Sequence, residues 1–545
     1  MSMNQIFRKK SIAGNLPEDE SAAHQVSLHK VLTSRDLTFF GIAAIIGAGS
    51  FSSMGEACHS GGPAVIFLFL ICAIACGFTA LCYAEFASRV KGSGSAYTYA
   101  YVTFGELFAW IIGWALLMEY SIGNIYVAFS WSGYFTSLMN SIGIHFPDWL
   151  VVNYKTAHHA FLEGQVCKGT LAWQTSPTLF GLHIILDLPA ILINCVITWL
   201  VYVGVKESKN LSNLMAIVKL GILLLIIIVG AFYVDIANWT PFMPNGFKGV
   251  MGGISAVFFA YIGFDAISTL SDECKDPQRD LPKGMINSLL ICTVLYIILS
   301  LILTGMVPFN KLGVTDPLAE VFHLRGVKWM LFIVSVAAIF AMTSVLLVFQ
   351  MGQPRIWLSM SKDGLLPKRF SSVHPTYKTP DFATIVTGLV VGVPLLFTDE
   401  QFVLDFTSIG TLFAFVLVCG GVLLLPPKPI ATDGVKRFNL PYINGKWIVP
   451  LATMIGIALT FAFASNAVTV PLMVFFIVCL VVAVFSFIKS FSLIPVCGLL
   501  SCCYLLTGMA MSNWIWFIIW LILGLIIYFS YSYKNSKLHK KTISA

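Results

Sequence analysis

The sequence predicts an all-α integral membrane fold of about fourteen transmembrane helices. Hydrophobic residues make up 57% of the 545-residue chain, charged residues only 11%, and the apolar residues fall in blocks of about 20. Soluble domains carry roughly 25% charged residues. A helix needs about 20 apolar residues to cross a ~30 Å hydrocarbon core. The expected spans are residues 36–57, 63–88, 97–139, 181–204, 211–234, 249–270, 284–307, 329–352, 381–398, 402–425, 447–465, 469–488, 491–510 and 513–533. The third block is too long for one perpendicular span and is expected to hold a turn, a tilted helix and an extension.

Residues 1–35 are polar and lack the short apolar region and small-residue cleavage site of a secretory signal, so the first span is expected to serve as an uncleaved anchor. Most of the 13 cysteines lie inside apolar runs and read as small packing residues. Cys58 and Cys167 fall together on one side, where a disulfide is conceivable. Loop charge sets the expected orientation. Of the 33 Lys and Arg residues, 26 fall in the tails and alternate loops on one side, six on the other, and Lys219 within a span. The positive-inside rule then places both termini in the cytoplasm. The net charge of +7 is explained by anionic membrane lipid and calls for no nucleic-acid partner.

The first and sixth spans carry the functional signal. Span one reads Gly41-Ile42-Ala43-Ala44-Ile45-Ile46-Gly47-Ala48-Gly49-Ser50-Phe51. Glycine costs about 1 kcal/mol against alanine in a helix interior, and unwound backbone at membrane depth is tolerated only beside protein or a wet cavity. A break here turns the amides of Ala48, Gly49 and Ser50 into a half-helix N-terminus, a site for a carboxylate. Span six reads Phe258-Phe259-Ala260-Tyr261-Ile262-Gly263-Phe264-Asp265. Carbonyls of Phe259, Ala260 and Ile262, freed at Gly263, are expected to accept from an ammonium group. Two broken spans five apart are what an inverted five-plus-five repeat predicts, with a zwitterion held between them. The plainer reading is that Gly47, Gly49 and Gly263 only let helices approach closely.

At these residues the sequence resembles the amino acid–polyamine–organocation superfamily, and within it the cationic amino acid transporter branch. The likeness runs along nearly the whole chain. It is carried by Ile46-Gly47-Ala48-Gly49, Leu81-Cys82-Tyr83-Ala84-Glu85-Phe86, Gly92-Ser93-Gly94-Ser95-Ala96-Tyr97, Gly105-Glu106-Leu107, Tyr261-Ile262-Gly263-Phe264-Asp265, Gln353-Pro354-Arg355 and Ser361-Lys362-Asp363-Gly364-Leu365-Leu366-Pro367. The resemblance implies a leucine-transporter-type fold. Residues 36–234 and 235–425 would form the two repeats, 426–533 the peripheral spans eleven to fourteen, and 1–35 and 534–545 the cytoplasmic tails. It implies that the carboxylate of a free amino acid meets the Ala48 and Gly49 amides. The amino group would meet carbonyls of Ile45, Phe259, Ala260 and Ile262, with Phe258 and Phe264 gating or lining the pocket.

Lys219 lies within span five, where a charge costs at least ~2.5 kcal/mol and so should face a partner or cavity. In sodium-free relatives a span-five lysine replaces a sodium ion beside the broken first helix, and Lys219 matches that position. The resemblance therefore implies a proton as coupling ion; snorkelling to the headgroups is the plain alternative. Glu119 lies mid-span and faces either the cavity or another helix, and Asp265 is placed to bond amides freed at the span-six break. Glu85 and Glu106 are expected to brace loops with Arg89 or Arg355. Met342 matches a side-chain-pocket position at which cation-selective relatives carry a smaller residue, which implies a preference for neutral L-amino acids. Cationic substrates, exchange, and a sensor that binds without transporting are the alternatives. His158, His159 and Glu163 sit one turn apart, yet a solvated loop face is the commoner reading, and no metal, cofactor or enzymatic motif is expected. Asn238-Trp239-Thr240 fits a glycosylation acceptor. The compact loops lean toward a bacterial inner membrane.

Overall fold

The computed structural model describes residues 8–9, 32–89, 95–163, 168–179, 182–204, 209–425, 438–463 and 469–539. Apart from a two-stranded hairpin pairing Thr178–Leu179 with Leu182–His183, the named elements are helical. Eight helices among the described residues are long and apolar enough to cross a membrane, and the bent pair Gly246–Gly252 and Ile254–Ser268 makes nine. Shorter apolar helices, Leu188–Val203, Asp381–Leu396, Ile448–Ala462 and Leu493–Leu506, stand at the fourth, ninth, eleventh and thirteenth expected spans. The first expected span is split into Ser34–Ile45, a π-helical turn at Gly49–Ser53, and Met54–Gly61. The third block resolves into a short helix, Ser95–Thr103, and a long one, Glu106–Ser141. Gly105 separates them at φ 99, a conformation that disfavours residues with a Cβ.

Four spans pack on the span five places further along. The second lies against the seventh (Pro277–Met306), the third against the eighth (Lys328–Lys362), and the fourth against the ninth. The broken first span meets the broken sixth in the same way. The third span is the hub, with 89% of its most apolar stretch buried. The twelfth, Val470–Lys489, and the fourteenth, whose helix runs Met511–Ile527, bury only 17% and 22%. Their exposed Val484, Ile488, Ile515 and Ile526 need lipid as solvent. Helix starts are fixed locally: the Asp187 carboxylate accepts from the Ala190 amide at the fourth span, and Asp399 from Phe402 at the tenth, Glu400–Leu424.

The fourteenth span is tied closely to the third. Trp114 and Trp520 stack at 4.6 Å, each indole N–H donating to the other residue's carbonyl, and Trp110 donates to Gly524. Beyond it the chain folds back over the same end of the bundle. Buried Glu106 accepts hydroxyls from Tyr101 (3.1 Å), Tyr528 (3.1 Å) and Ser536 (2.5 Å), rather than the expected arginine. Glu85 accepts from the Leu440 amide. The Arg8 carbonyl accepts from the Glu106 amide, and its guanidinium lies over Tyr533, so the two ends of the chain share one face. Hydrogen bonds to a buried carboxylate contribute about 1.5–3 kcal/mol each. Ser536→Ala is therefore expected to cost about 2 kcal/mol, and Glu106→Ala more. Thermal unfolding in detergent should show both losses and leave Ser530→Ala, exposed and bonded within its own turn, unchanged.

Candidate functional site

Ile46 takes extended geometry (φ −76, ψ 99), so the first half of span one ends at Ile45. The chain re-enters helix at Ala48. The Ser50 amide is spent on the Gly47 carbonyl at 3.1 Å, as is its hydroxyl at 3.0 Å, which removes Ser50 from the expected set of free donors. Among the described residues no oxygen accepts from the amides of Ala48 or Gly49. A Cβ on Gly49 would lie 2.5 Å from the Ala260 Cα, so glycine lets the two broken spans touch.

Span six bends by 41° between Gly246–Gly252 and Ile254–Ser268, then tightens into a turn. The Phe258 and Phe259 carbonyls accept from the Tyr261 and Ile262 amides, so Phe259 is partly engaged. Those of Ala260 and Ile262 accept from no described donor. Gly263 sits at φ 115, and a Cβ there would come within 2.9 Å of the Ala44 carbonyl. Both breaks thus depend on glycine facing the opposite span.

The half-helix ends differ in how they are satisfied. At the span-six break the Asp265 carboxylate lies against the backbone at Gly263, Asp265 and Ala266, where its charge offsets the positive end of the second half. At span one the negative end is covered instead. The Lys219 ammonium, 4% exposed, donates to the Ala43 carbonyl at 2.8 Å and to Ser344 Oγ at 2.6 Å. Tyr296 donates to the Ile45 carbonyl at 3.1 Å, so that carbonyl already has a partner. What remains is a pair of free amides on span one and a pair of free carbonyls on span six. They can take a carboxylate and an ammonium.

The expected lining residues are all buried, so this conformation seals the breaks from solvent. Phe258 and Phe264 both rest on Phe415 of span ten, at 5.8 and 5.3 Å, and Phe264 also meets Tyr83. Phe259 packs edge-on against Tyr126 of span three at 4.6 Å. Glu119 lies near Asp265 and Thr411, with Oε2 unbonded. Met342 lies one turn before Val345, whose methyl abuts Gly47. Tyr126, Tyr296, Ser344 and Phe415 were not singled out from sequence: an aromatic or serine in an apolar run has no distinguishing signal until its neighbour is known.

Elsewhere, His159 pairs with Glu163 at 3.4 Å while His158 packs on Trp173, and no metal-holding cluster occurs among the described residues. The Asn238 amide is engaged by the Gly305 carbonyl. Cys58 is buried, and Cys167 lies outside the described residues.

A helical bundle with two broken spans in contact, each leaving main-chain groups free at its break, has a secondary-transporter architecture. The chain belongs to the amino acid permease family, whose pattern matches residues 32–471, with the matching C-terminal region over 492–536. It is 39% identical over 538 residues to a branched-chain amino acid permease of Bacillus subtilis (strain 168), covering 98% of this chain and 99% of the relative. A methylthioribose transporter of the same organism is 37% identical, covering 99% and 100%. The mitochondrial cationic amino acid transporter 3 of Arabidopsis thaliana is 29% identical, covering 98% and 96%. The resemblance to the cationic amino acid transporter branch therefore holds. The protein is a multi-pass membrane transporter of this family and not an enzyme.

Gly49→Val is expected to abolish uptake, because its side chain has no room against Ala260. Gly221→Ala, which meets open space in span five, should transport as wild type. Uptake of labelled amino acid into proteoliposomes, normalised to inserted protein, checks both.

Proposed function

We propose that the protein takes up free L-amino acids by alternating access, prefers neutral side chains, and is driven by protons through Lys219. The asymmetry of the broken spans carries this reading. Asp265 and Lys219 cancel one positive and one negative helix end, which leaves the Ala48 and Gly49 amides and the Ala260 and Ile262 carbonyls on two spans that touch at Gly49 and Ala260. A zwitterion complements that arrangement. Residues 36–234 and 235–425 act as the two inverted repeats, and both termini are cytoplasmic because the Lys- and Arg-rich loops lie on their side of a cell membrane. Release of the Lys219 proton would remove the charge that strengthens its bond to the Ala43 carbonyl and loosen the first half of span one, linking protonation to opening.

A 37% identical methylthioribose transporter supports a second reading, in which the substrate is not an amino acid. A substrate without an ammonium group leaves the Ala260 and Ile262 carbonyls without their ionic partner. A thermal-shift screen of purified protein against the twenty amino acids and methylthioribose separates the two. Stabilisation by apolar L-amino acids and not by the thiosugar supports the first reading; the reverse result sinks it.

Two substitutions test the finer features. Lys219→Ala should uncouple uptake from an imposed pH gradient while keeping exchange of labelled for unlabelled substrate; retained pH dependence would refute the coupling role. Met342→Ser should raise the ratio of arginine to alanine uptake by about tenfold or more, equivalent to ~1.4 kcal/mol of side-chain selectivity. An unchanged ratio removes Met342 from the selectivity pocket.

A further inference from the structure

From the contacts around Glu400 we infer that it is a positioning residue, the latch of the gate at the end of the bundle opposite the chain termini. The inference rests on the transport reading and adds the part that closes this end. To leave in this direction, a substrate held at the two breaks must pass where the second half of span one meets spans three and ten. That passage is closed in layers. Tyr126 lies over Phe259 beside the break, at 4.6 Å. Further out, Tyr134 donates to the Phe51 carbonyl at 2.5 Å, and Ser52 donates to the Thr315 carbonyl at 2.6 Å.

Glu400, the first residue of the span-ten helix, joins the three elements. Its Oε1 lies 3.4 Å from Ser52 Oγ on span one and 3.3 Å from Ser130 Oγ on span three. The Thr315 side chain in the loop between spans seven and eight also reaches its carboxylate. Since the Ser52 proton points to Thr315, these contacts are individually weak. No Lys, Arg or His among the described residues pairs with Glu400. Lys155, the neighbouring cation, forms its ion pair with Asp399 and lies over the Phe402 ring. The nearby acid, Asp187, is held by the Ser132 hydroxyl and the Ala190 amide, and Asp316 is held by Ser137. A carboxylate held only by hydroxyls differs from a buried ion pair. Breaking it exposes no unmatched cation, and opening lets water replace the hydroxyls directly. That suits a contact that is made and broken in each transport cycle.

Hydrogen–deuterium exchange on the purified full-length protein, read peptide by peptide, tests the latch. Glu400→Ala should speed exchange about tenfold in residues 50–61 and 126–136, the sides of the gate, and leave residues 98–115 at the other end unchanged. Glu400→Gln, whose amide oxygen accepts the same hydroxyls, should match wild type. In proteoliposomes the alanine variant should lose maximal uptake rate with a smaller change in KM, because closure rather than binding is impaired. Unchanged exchange in Glu400→Ala overturns the inference. So does a uniform rise along the chain, which would mean a fold defect, or a glutamine variant that behaves as alanine does. The exchange measurement needs no substrate, so a wild-type protein that moves no amino acid would sink the transport reading while leaving the latch result to be read independently.

Discussion

Backbone polarity in a medium that cannot solvate it is the constraint on which this structure depends. An unpaired amide or carbonyl in hydrocarbon costs several kcal/mol, and two helices here are broken at mid-depth. Four helix ends must therefore be satisfied from within the protein or by what it binds. Asp265 covers one positive end. Lys219 and Tyr296 cover one negative end. The two left over belong to different spans and have opposite sign. Had the protein neutralised both ends of the same span, the residual pair would have sat on one helix and matched a dipole along its axis. Neutralising one end on each leaves opposite partial charges on two spans that touch at Gly49 and Ala260, the pairing that the proposed binding of a zwitterion uses.

The rest of the bundle keeps these two spans close. Packing of the first four spans on those five places further along brings the breaks together, and glycine at 49 and 263 removes the Cβ atoms that would hold them apart. Ser53 adds a direct tie, its hydroxyl lying between the Gly49 and Ala256 carbonyls at 2.8 and 2.9 Å. The third span supports this arrangement from behind: it presents Tyr126 to the site, is stapled to the fourteenth span by reciprocal tryptophan bonds, and anchors the chain's end through Glu106. Spans thirteen and fourteen are thus peripheral to the site but bound to spans that frame it, whereas eleven and twelve present mostly lipid-facing surface.

Much of this was legible before any coordinates, because lipid makes composition and period decisive. Apolar blocks of one length can do little except span, and glycines placed five spans apart within such blocks point to a repeat. Lys219 was legible as well, since a buried amine in lipid must have partners. Which partners it has was not. The bond to Ser344 joins residues 125 positions apart, and a serine in an apolar run reads equally as packing. For the same reason sequence left Ser50 among the free donors: its amide is spent on Gly47 by a local turn whose geometry no spacing rule specifies. Glu106 was placed beside arginine because opposite charges are the default expectation for a buried acid, while the actual donors are two tyrosines and a serine, two of them over 420 residues away.

In the proposed reading, the main-chain poles would serve relatives named for branched-chain and for cationic amino acids alike, since those substrates differ only in their side chains. The free amides and carbonyls are main-chain groups, so no substitution that preserves the breaks can alter what they recognise. Side-chain choice is then assigned, in the same reading, to residues that approach from spans three, eight and ten. Those spans supply Glu119, Met342 and Thr411, and they can vary without disturbing the poles. A change of one such side chain shifts affinity by the free energy of filling or emptying a small volume, roughly 1–3 kcal/mol per methylene-sized difference. A change in Lys219 or Asp265 would instead remove a partner from a helix end buried inside the bundle. Selectivity and architecture are thereby separated: the permease can diverge in what it carries while the broken helices that carry it stay fixed.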